Sequence, residues 1–250
     1  MERHSSDSVV GIPCAGKTTA KVDLPAPEMF RIFIKITLQY AFMCAVMLLS
    51  AGTLRWMRAW IYLAVSLICF FVNALVLRRT NPQLIAERHK KHEDTKPFDK
   101  RLTALIAITT ILMFVVAGLD AGRYRWSSIA APLLYPGVLL HILGMAVLGW
   151  AMSTNPFVEK TVRLQTDRDQ RVISAGPYAI VRHPMYTGMI LMGIGYPLIA
   201  GSAWSLVLLF VYIGLFVLRT VLEDRTLQAE LPGYREYLHI TRYRLLPHVW

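Results

Sequence analysis

The length, composition and charge of the chain exclude most soluble classes of protein. Its 250 residues are 55% hydrophobic and only 17% charged, whereas a soluble domain has about 25% charged residues. The deficit is concentrated in long uncharged runs, which is typical of a single membrane domain. The net charge of +11 comes without a basic, aromatic-interleaved domain, so it favours basic cytoplasmic loops over nucleic-acid binding.

Residues 1–30 are polar and are predicted to form a disordered cytoplasmic tail. They contain Pro13, Pro25 and Pro27, and they lack the apolar core and cleavage site of a secretory signal. Residues 11–18 match the phosphate-binding pattern G-x-x-x-x-G-K-S/T. That chemistry needs a strand before the loop and a helix after it, and neither is predicted here, so we interpret the match as accidental.

Apolar runs of near-spanning length make up most of the remaining chain. Four of them, 36–54, 59–77, 102–119 and 133–151, approach the ~20 residues that cross a bilayer, and they predict four transmembrane helices within residues 31–152. A shorter run, 186–200, is separated from a sixth, 203–218, by only Gly201 and Ser202, which predicts a helical hairpin. The predicted fold is all-α: a polytopic membrane protein with about six transmembrane helices, the last two forming a hairpin.

The distribution of basic residues predicts the orientation of these helices. With six crossings, 23 of the 27 Lys and Arg residues fall on one side, and the other four are Arg55, Arg58, Arg123 and Arg125. The positive-inside rule then places both termini and both long loops in the cytoplasm. Counting the last two runs as one crossing gives a weaker asymmetry.

A few polar residues lie within or beside the apolar runs, and one of them, His141, has two possible interpretations. His141 is expected to be a buried histidine that hydrogen-bonds a neighbouring helix, and the alternative is a residue that lines a substrate cavity. Asp120 ends the third run and is expected at the membrane interface. The cysteines, Cys14, Cys44 and Cys69, have neither CxxC nor paired spacing, so no metal site is predicted.

The segment before the hairpin carries a pattern suited to binding a charged ligand. Pro184 permits a helix to begin there and forces His183 into an extended conformation. The first turn would present free N–H groups and a positive dipole end to a carboxylate. The rings of Tyr178 and Tyr186 suit a sulfonium cation or an adenine. From spacing alone, a proline-capped helix with interfacial tyrosines is an equal interpretation.

A second polar group follows the hairpin. Arg219 and Glu223 are four residues apart, so they share one face of a helix that is predicted to continue into the cytoplasm. A guanidinium can bind a carboxylate through two bonds of fixed geometry. The alternative is a solvated ion pair at the membrane edge.

Five motifs in residues 155–250 resemble one enzyme family. They are Gly176-Pro177-Tyr178, Arg182-His183-Pro184-x-Tyr186-x-Gly188, Arg219-x-x-x-Glu223-Asp224, Gly233-Tyr234-x-x-Tyr237 and Arg244-Leu245-Leu246-Pro247. In this order they resemble the isoprenylcysteine carboxyl methyltransferases, which are related to the phospholipid methyltransferases. Asp224 stands where that family commonly has a second glutamate.

The resemblance implies that residues 153–250 are a catalytic region containing the hairpin and a C-terminal cytoplasmic helix. The implied cofactor is S-adenosylmethionine, and Arg219 would hold the carboxylate of a lipophilic or lipid substrate. No nucleic acid is implied. The implied cofactor contacts are Gln165, Val172, Ile173, Tyr178, His183, Pro184, Met185, Tyr186 and Glu223.

The chemistry that follows is methyl transfer to a nucleophile held at the inner membrane face. A carboxylate is ionised at neutral pH and needs no general base. A phospholipid amine would need one, with His183 or Glu223 as candidates. An NADPH-dependent membrane reductase and a non-enzymatic membrane protein are the remaining alternatives.

Overall fold

The structure, a computed structural model, describes residues 26–88, 95–159 and 161–250. Within these ranges all of the regular secondary structure is helical, and there are no β-strands. Five helices are long and apolar enough to cross a membrane, and the 17-residue α6 is apolar as well; the all-α polytopic fold is therefore confirmed. The helices are α1 (Ala26–Ala51), α2 (Met57–Thr80), α3 (Pro82–Glu87), α4 (Pro97–Ala117), α5 (Leu134–Thr154), α6 (Pro184–Ala200), α7 (Ala203–Glu230) and α8 (Tyr234–Ile240).

Each of the first four long helices extends past at least one end of the apolar run that predicted it. α1 begins at Ala26, so the last residues of the predicted tail are helical, whereas residues 1–25 and their phosphate-loop pattern lie outside the described part of the chain. α1 ends before Gly52, whose φ of 64° breaks the helix. Hydropathy predicts only the part of a helix that is suited to contact lipid. The helix itself continues until a residue such as Gly52 interrupts its backbone hydrogen bonds.

The end of α4 continues as a π-helical turn, Gly118–Tyr124, which holds a buried carboxylate. Asp120 is fully buried inside the protein, and its expected depth at the membrane interface stays a prediction. It accepts hydrogen bonds from the Ser127 backbone N–H (2.7 Å), the Ser127 hydroxyl (2.6 Å) and the Ser202 hydroxyl (2.6 Å). The carboxylate thereby joins the end of α4 to the hairpin turn.

Glycines allow α5 and α6 to pack closely against each other. A Cβ atom on Gly144 would lie 2.6 Å from the Gly188 carbonyl oxygen, and one on Gly188 would lie 2.6 Å from the Gly144 carbonyl oxygen. Gly137 and Gly195 face each other in the same way further along. Small residues at such crossings let membrane helices approach until their backbones touch.

The turn between α6 and α7 is the predicted hairpin. Gly201 has a φ of 82° and donates its N–H to the Pro197 carbonyl oxygen at 2.8 Å. Ser202 caps α7 by accepting a hydrogen bond from the Ser205 N–H at 3.1 Å. α7 then continues to Glu230, beyond the apolar run, as the sequence predicted.

The interior contains an aromatic cluster that includes His141. The ring of Tyr62 packs edge-on against Tyr196 and His141, with ring centroids 4.8 and 5.2 Å apart. His141 is buried, and its Nε2 lies 3.1 Å from the Ser66 hydroxyl on α2. These contacts confirm the interpretation of a buried histidine bonded to a neighbouring helix.

Several polar segments meet at one end of the helical bundle. The loop between α5 and α6 lies there, and its residue Val162 accepts a hydrogen bond from the Lys96 N–H just before α4 (3.1 Å). The C-terminal segment runs beside the start of α6, because the Arg182 N–H donates to the Tyr243 carbonyl oxygen (2.9 Å) and the His183 N–H to that of Arg244 (3.0 Å). This end holds the candidate site.

Candidate functional site

A cavity opens between the α5–α6 loop, the start of α6, the end of α7 and α8. Its empty space is about 800 Å³ when the solvent in its mouth is included. All of the residues predicted to contact the cofactor line it: Gln165, Val172, Ile173, Tyr178, His183, Pro184, Met185, Tyr186 and Glu223. The segment ahead of the hairpin and the segment behind it therefore share one cavity.

His183 connects the two segments. Its Nδ1 lies 3.9 Å from Glu223 Oε1, and its Nε2 lies 3.3 Å from Asp224 Oδ1. The Tyr186 ring is parallel to the imidazole, with centroids 5.9 Å apart, and its hydroxyl donates a short hydrogen bond to Glu223 Oε2. These contacts fix the position of the Glu223 carboxylate, which lines the cavity.

Asp224 is a structural anchor beneath the cavity. It is fully buried, and Arg182 binds it through Nε (2.9 Å) and Nη2 (3.1 Å). Arg244 Nε (3.0 Å) and the Tyr234 hydroxyl (2.9 Å) also donate to it. A buried carboxylate is tolerated when it is paired and hydrogen-bonded to this extent. Asp224 thus ties the C-terminal segment and α8 to the wall formed by α7.

The hydroxyl of Tyr178 has no hydrogen-bond partner among the described residues. The hydroxyl is buried on the cavity wall; the Asn155 side chain is near but makes no hydrogen bond of normal geometry with it. Burial raises the pKa of Tyr178, so the group is a neutral donor. Its backbone is fixed because the Tyr237 hydroxyl donates to the Tyr178 carbonyl oxygen at 2.6 Å. An unpaired buried hydroxyl fits a site completed by a polar ligand.

The start of α6 has fewer unpaired backbone N–H groups than the first turn of a helix usually has. The His183 carbonyl oxygen accepts from the N–H groups of Tyr186 (3.1 Å) and Thr187 (3.2 Å), and Pro184 has no N–H. Among the described residues, we find no partner for the Met185 N–H. One donor and the positive helix end therefore remain for a carboxylate.

Gln165 lines the cavity, but its side chain is engaged by the surrounding loop. Its Nε2 donates to the Phe157 carbonyl oxygen at 2.6 Å, and its Oε1 accepts from Arg168 at 2.7 Å. Its backbone N–H is bound by the Gln170 side chain at 2.8 Å. These bonds indicate that Gln165 shapes the loop around the cavity.

Arg219 lies beside the cavity instead of on its wall. Its Nε donates to Asp99 Oδ1 at 2.8 Å, its Nη2 lies 3.2 Å from Asp99 Oδ2, and both residues are buried. Its guanidinium carbon is 5.1 Å from the centroid of the Tyr186 ring. Asp99 was not predicted from the sequence, because an acidic residue in the first turn of a helix is ordinary and nothing in the spacing relates it to a residue 120 positions away.

Arg88, which follows α3, adds a further positive charge near this group. Its Nη1 donates to the carbonyl oxygen of Val158, a residue of the cavity wall, at 3.1 Å. Burial lowers the pKa of Arg88, and the nearby Arg219 lowers it further, while Glu159 raises it. The sequence analysis did not single out this residue.

Three of the apolar helices lie in a region that matches a known protein family. Residues 133–231, which include α5, α6 and α7, match the family model described as phospholipid methyltransferase. The cobalt-zinc-cadmium resistance protein CzcN of Cupriavidus metallidurans is 29% identical over 135 residues, which cover 52% of this chain and 58% of that protein. The chain therefore spans a little over half the length of this curated relative.

Proposed function

We propose, from the match of residues 133–231 to the phospholipid methyltransferase model, that the protein is a membrane methyltransferase that uses S-adenosylmethionine at the cavity beside Glu223. That family includes the isoprenylcysteine carboxyl methyltransferases, as the sequence motifs suggested. The observation that carries the proposal is the approach of His183 to Glu223 at 3.9 Å, because it joins the two segments that hold the motifs.

The residues present fit such a cofactor, which supplies an activated methyl group when bound. Glu223 is suited to its ammonium or ribose, and the positive end of α6 to its carboxylate. The Tyr186 and Tyr178 rings are suited to its sulfonium. The Tyr178 hydroxyl, which is without a partner among the described residues, would gain one in this complex.

The proposed acceptor is the carboxylate of a lipophilic, isoprenylcysteine-like molecule. A carboxylate is already nucleophilic at neutral pH, so the protein needs to hold it in line with the methyl group and exclude water. Arg219 is the residue proposed to hold it, beside the Tyr186 ring. The lipid portion would remain among the membrane helices while the cofactor enters from the polar end.

One observation favours an amine acceptor as a second candidate. Asp99 already occupies two N–H groups of Arg219, which leaves fewer donors for a substrate carboxylate. An amine must lose a proton on methylation, and Glu223 or His183 would accept it. Phosphatidylethanolamine-like lipids belong to this class of acceptor.

A binding and transfer assay tests the proposal. We expect the purified protein in detergent to bind S-adenosylmethionine in calorimetry and not NADPH. Labelled cofactor should then transfer its methyl group to one member of a panel of prenylthiol acids, amine phospholipids and quinols. A labelled ester identifies a carboxylate acceptor and a labelled lipid amine the second candidate, whereas binding of NADPH without S-adenosylmethionine would reject a methyltransferase site.

A further inference from the structure

We propose that Asp99 is a positioning residue that orients Arg219 toward the acceptor. The inference rests on the proposed methyltransferase site. Asp99 lies in the first turn of α4, is fully buried, and binds Arg219 Nε at 2.8 Å and Nη2 at 3.2 Å. The two bonds fix the plane of the guanidinium as well as its position.

The orientation set by Asp99 holds Arg219 beside the cavity, against Tyr186 of its wall. The guanidinium lies over the Tyr186 ring, and the hydroxyl of the same tyrosine binds Glu223. Without a fixed partner, a long arginine side chain populates many rotamers, and immobilising it costs conformational entropy. Asp99 meets this cost before the acceptor arrives, which is the condition for efficient orientation of a substrate.

Asp99 also binds the wall of the cavity. Its Oδ2 accepts a hydrogen bond from the Val162 N–H at 2.8 Å, and the Val162 carbonyl oxygen accepts one from Lys96 at 3.1 Å. Val162 lines the cavity. A single carboxylate therefore holds the cofactor-side loop and the acceptor-side arginine in a fixed relation.

The energetics of buried ion pairs favour this positioning role over a purely stabilising one. Removing two charges from water costs about as much as their attraction returns, so an apolar pair of similar volume is often equally stable. The pair is accordingly expected to contribute mainly to the geometry of the site.

The test is a double-mutant cycle on Asp99→Asn and Arg219→Ala in the full chain. Asparagine keeps an oxygen for the Val162 N–H but loses the charge, so we expect kcat/KM for the acceptor to fall about 10- to 100-fold. The dissociation constant for S-adenosylmethionine should stay within about twofold of the wild type. If Asp99 acts through Arg219, the double variant should match Arg219→Ala within about twofold.

Glu230→Gln is the matched control. It removes the exposed ion pair of Lys96 with Glu230 (2.7 Å), which also connects the start of α4 to the end of α7. Exposed ion pairs contribute little to stability, so the activity of Glu230→Gln should equal that of the wild type. Multiplicative losses in the double variant, or full activity of Asp99→Asn, would overturn the positioning role.

Two further measurements keep the outcomes distinct. If Asp99→Asn cannot be purified, Asp99→Glu retains the charge and moves the carboxylate by about 1.5 Å. It should raise the acceptor KM without changing cofactor binding, and an unchanged acceptor KM rejects the inference. Failure of the wild type to transfer a methyl group rejects the proposed function itself.

Discussion

Glu223 is a carboxylate on the cavity wall whose position is fixed by contacts with neighbouring side chains. Tyr186 and His183 contact its two carboxylate oxygens from the same wall, and the carboxylate lines the cavity. Replacing it with glutamine preserves its size and removes its charge. We expect Glu223→Gln to raise the dissociation constant for S-adenosylmethionine about 10- to 100-fold, since hydrogen bonds to charged groups contribute about 1.5–3 kcal/mol.

Calorimetry on the two purified proteins measures this change, and Glu230→Gln is again the control, since it removes an exposed carboxylate from the same helix. Equal cofactor affinity of Glu223→Gln and the wild type would contradict the assignment of Glu223 to the cofactor.

Individual residues also show where sequence reasoning reached its limit. His183, Tyr186 and Glu223 could be singled out because short motifs hold them. The burial and the partners of Asp99 and Asp120 could not be predicted, because folding brings those partners from distant parts of the chain. A pattern with the period of a helix predicts which face is apolar, but it does not predict which helix a buried carboxylate will meet.

At the scale of elements, the close crossing of α5 and α6 sets the position of the site, because the α5–α6 loop and the start of α6 form much of its wall. A Cβ atom on Gly188 would meet backbone atoms of α5, the Gly144 carbonyl oxygen at 2.6 Å and the Leu148 nitrogen at 3.0 Å. Backbone cannot move aside as a flexible side chain does. We therefore expect Gly188→Ala to lower the free energy of unfolding by about 1–3 kcal/mol.

Gly214→Ala is the matched control on α7, where an added Cβ meets nothing within 4 Å. Alanine is the better helix former, so this variant should be equally or slightly more stable. Thermal unfolding in one detergent compares the two variants. Equal melting temperatures would show that the crossing is looser than the structure indicates.

The apolar runs predicted the long helices well, because membrane-spanning length is a strong constraint. They predicted the ends less well, since Ala26 and the π-helical turn after α4 lie outside or at the edge of the runs. The close packing of α6 was not evident either. Glycines appear in a sequence as breaks in hydrophobicity, and only the structure shows that Gly144 and Gly188 face each other.

At the scale of the whole molecule, the orientation in the membrane decides from which side a ligand can reach the cavity. The cavity lies at the bundle end that contains the α5–α6 loop and α8, and the charge distribution predicts that this end is cytoplasmic. The opposite end contains the α4–α5 connection and the hairpin turn at Gly201. A water-soluble cofactor made in the cytoplasm would then reach the site without crossing the membrane.

Cysteine labelling tests this orientation in cells. In a background where Cys14, Cys44 and Cys69 are replaced by alanine, Ser128→Cys and Thr166→Cys introduce single thiols at exposed positions of opposite ends. A membrane-impermeant maleimide should label Ser128→Cys on intact cells and Thr166→Cys only after permeabilisation, because the basic loops stay on the cytoplasmic side. The reverse pattern would place the cavity outside the cytoplasm and would require a different source for its ligand.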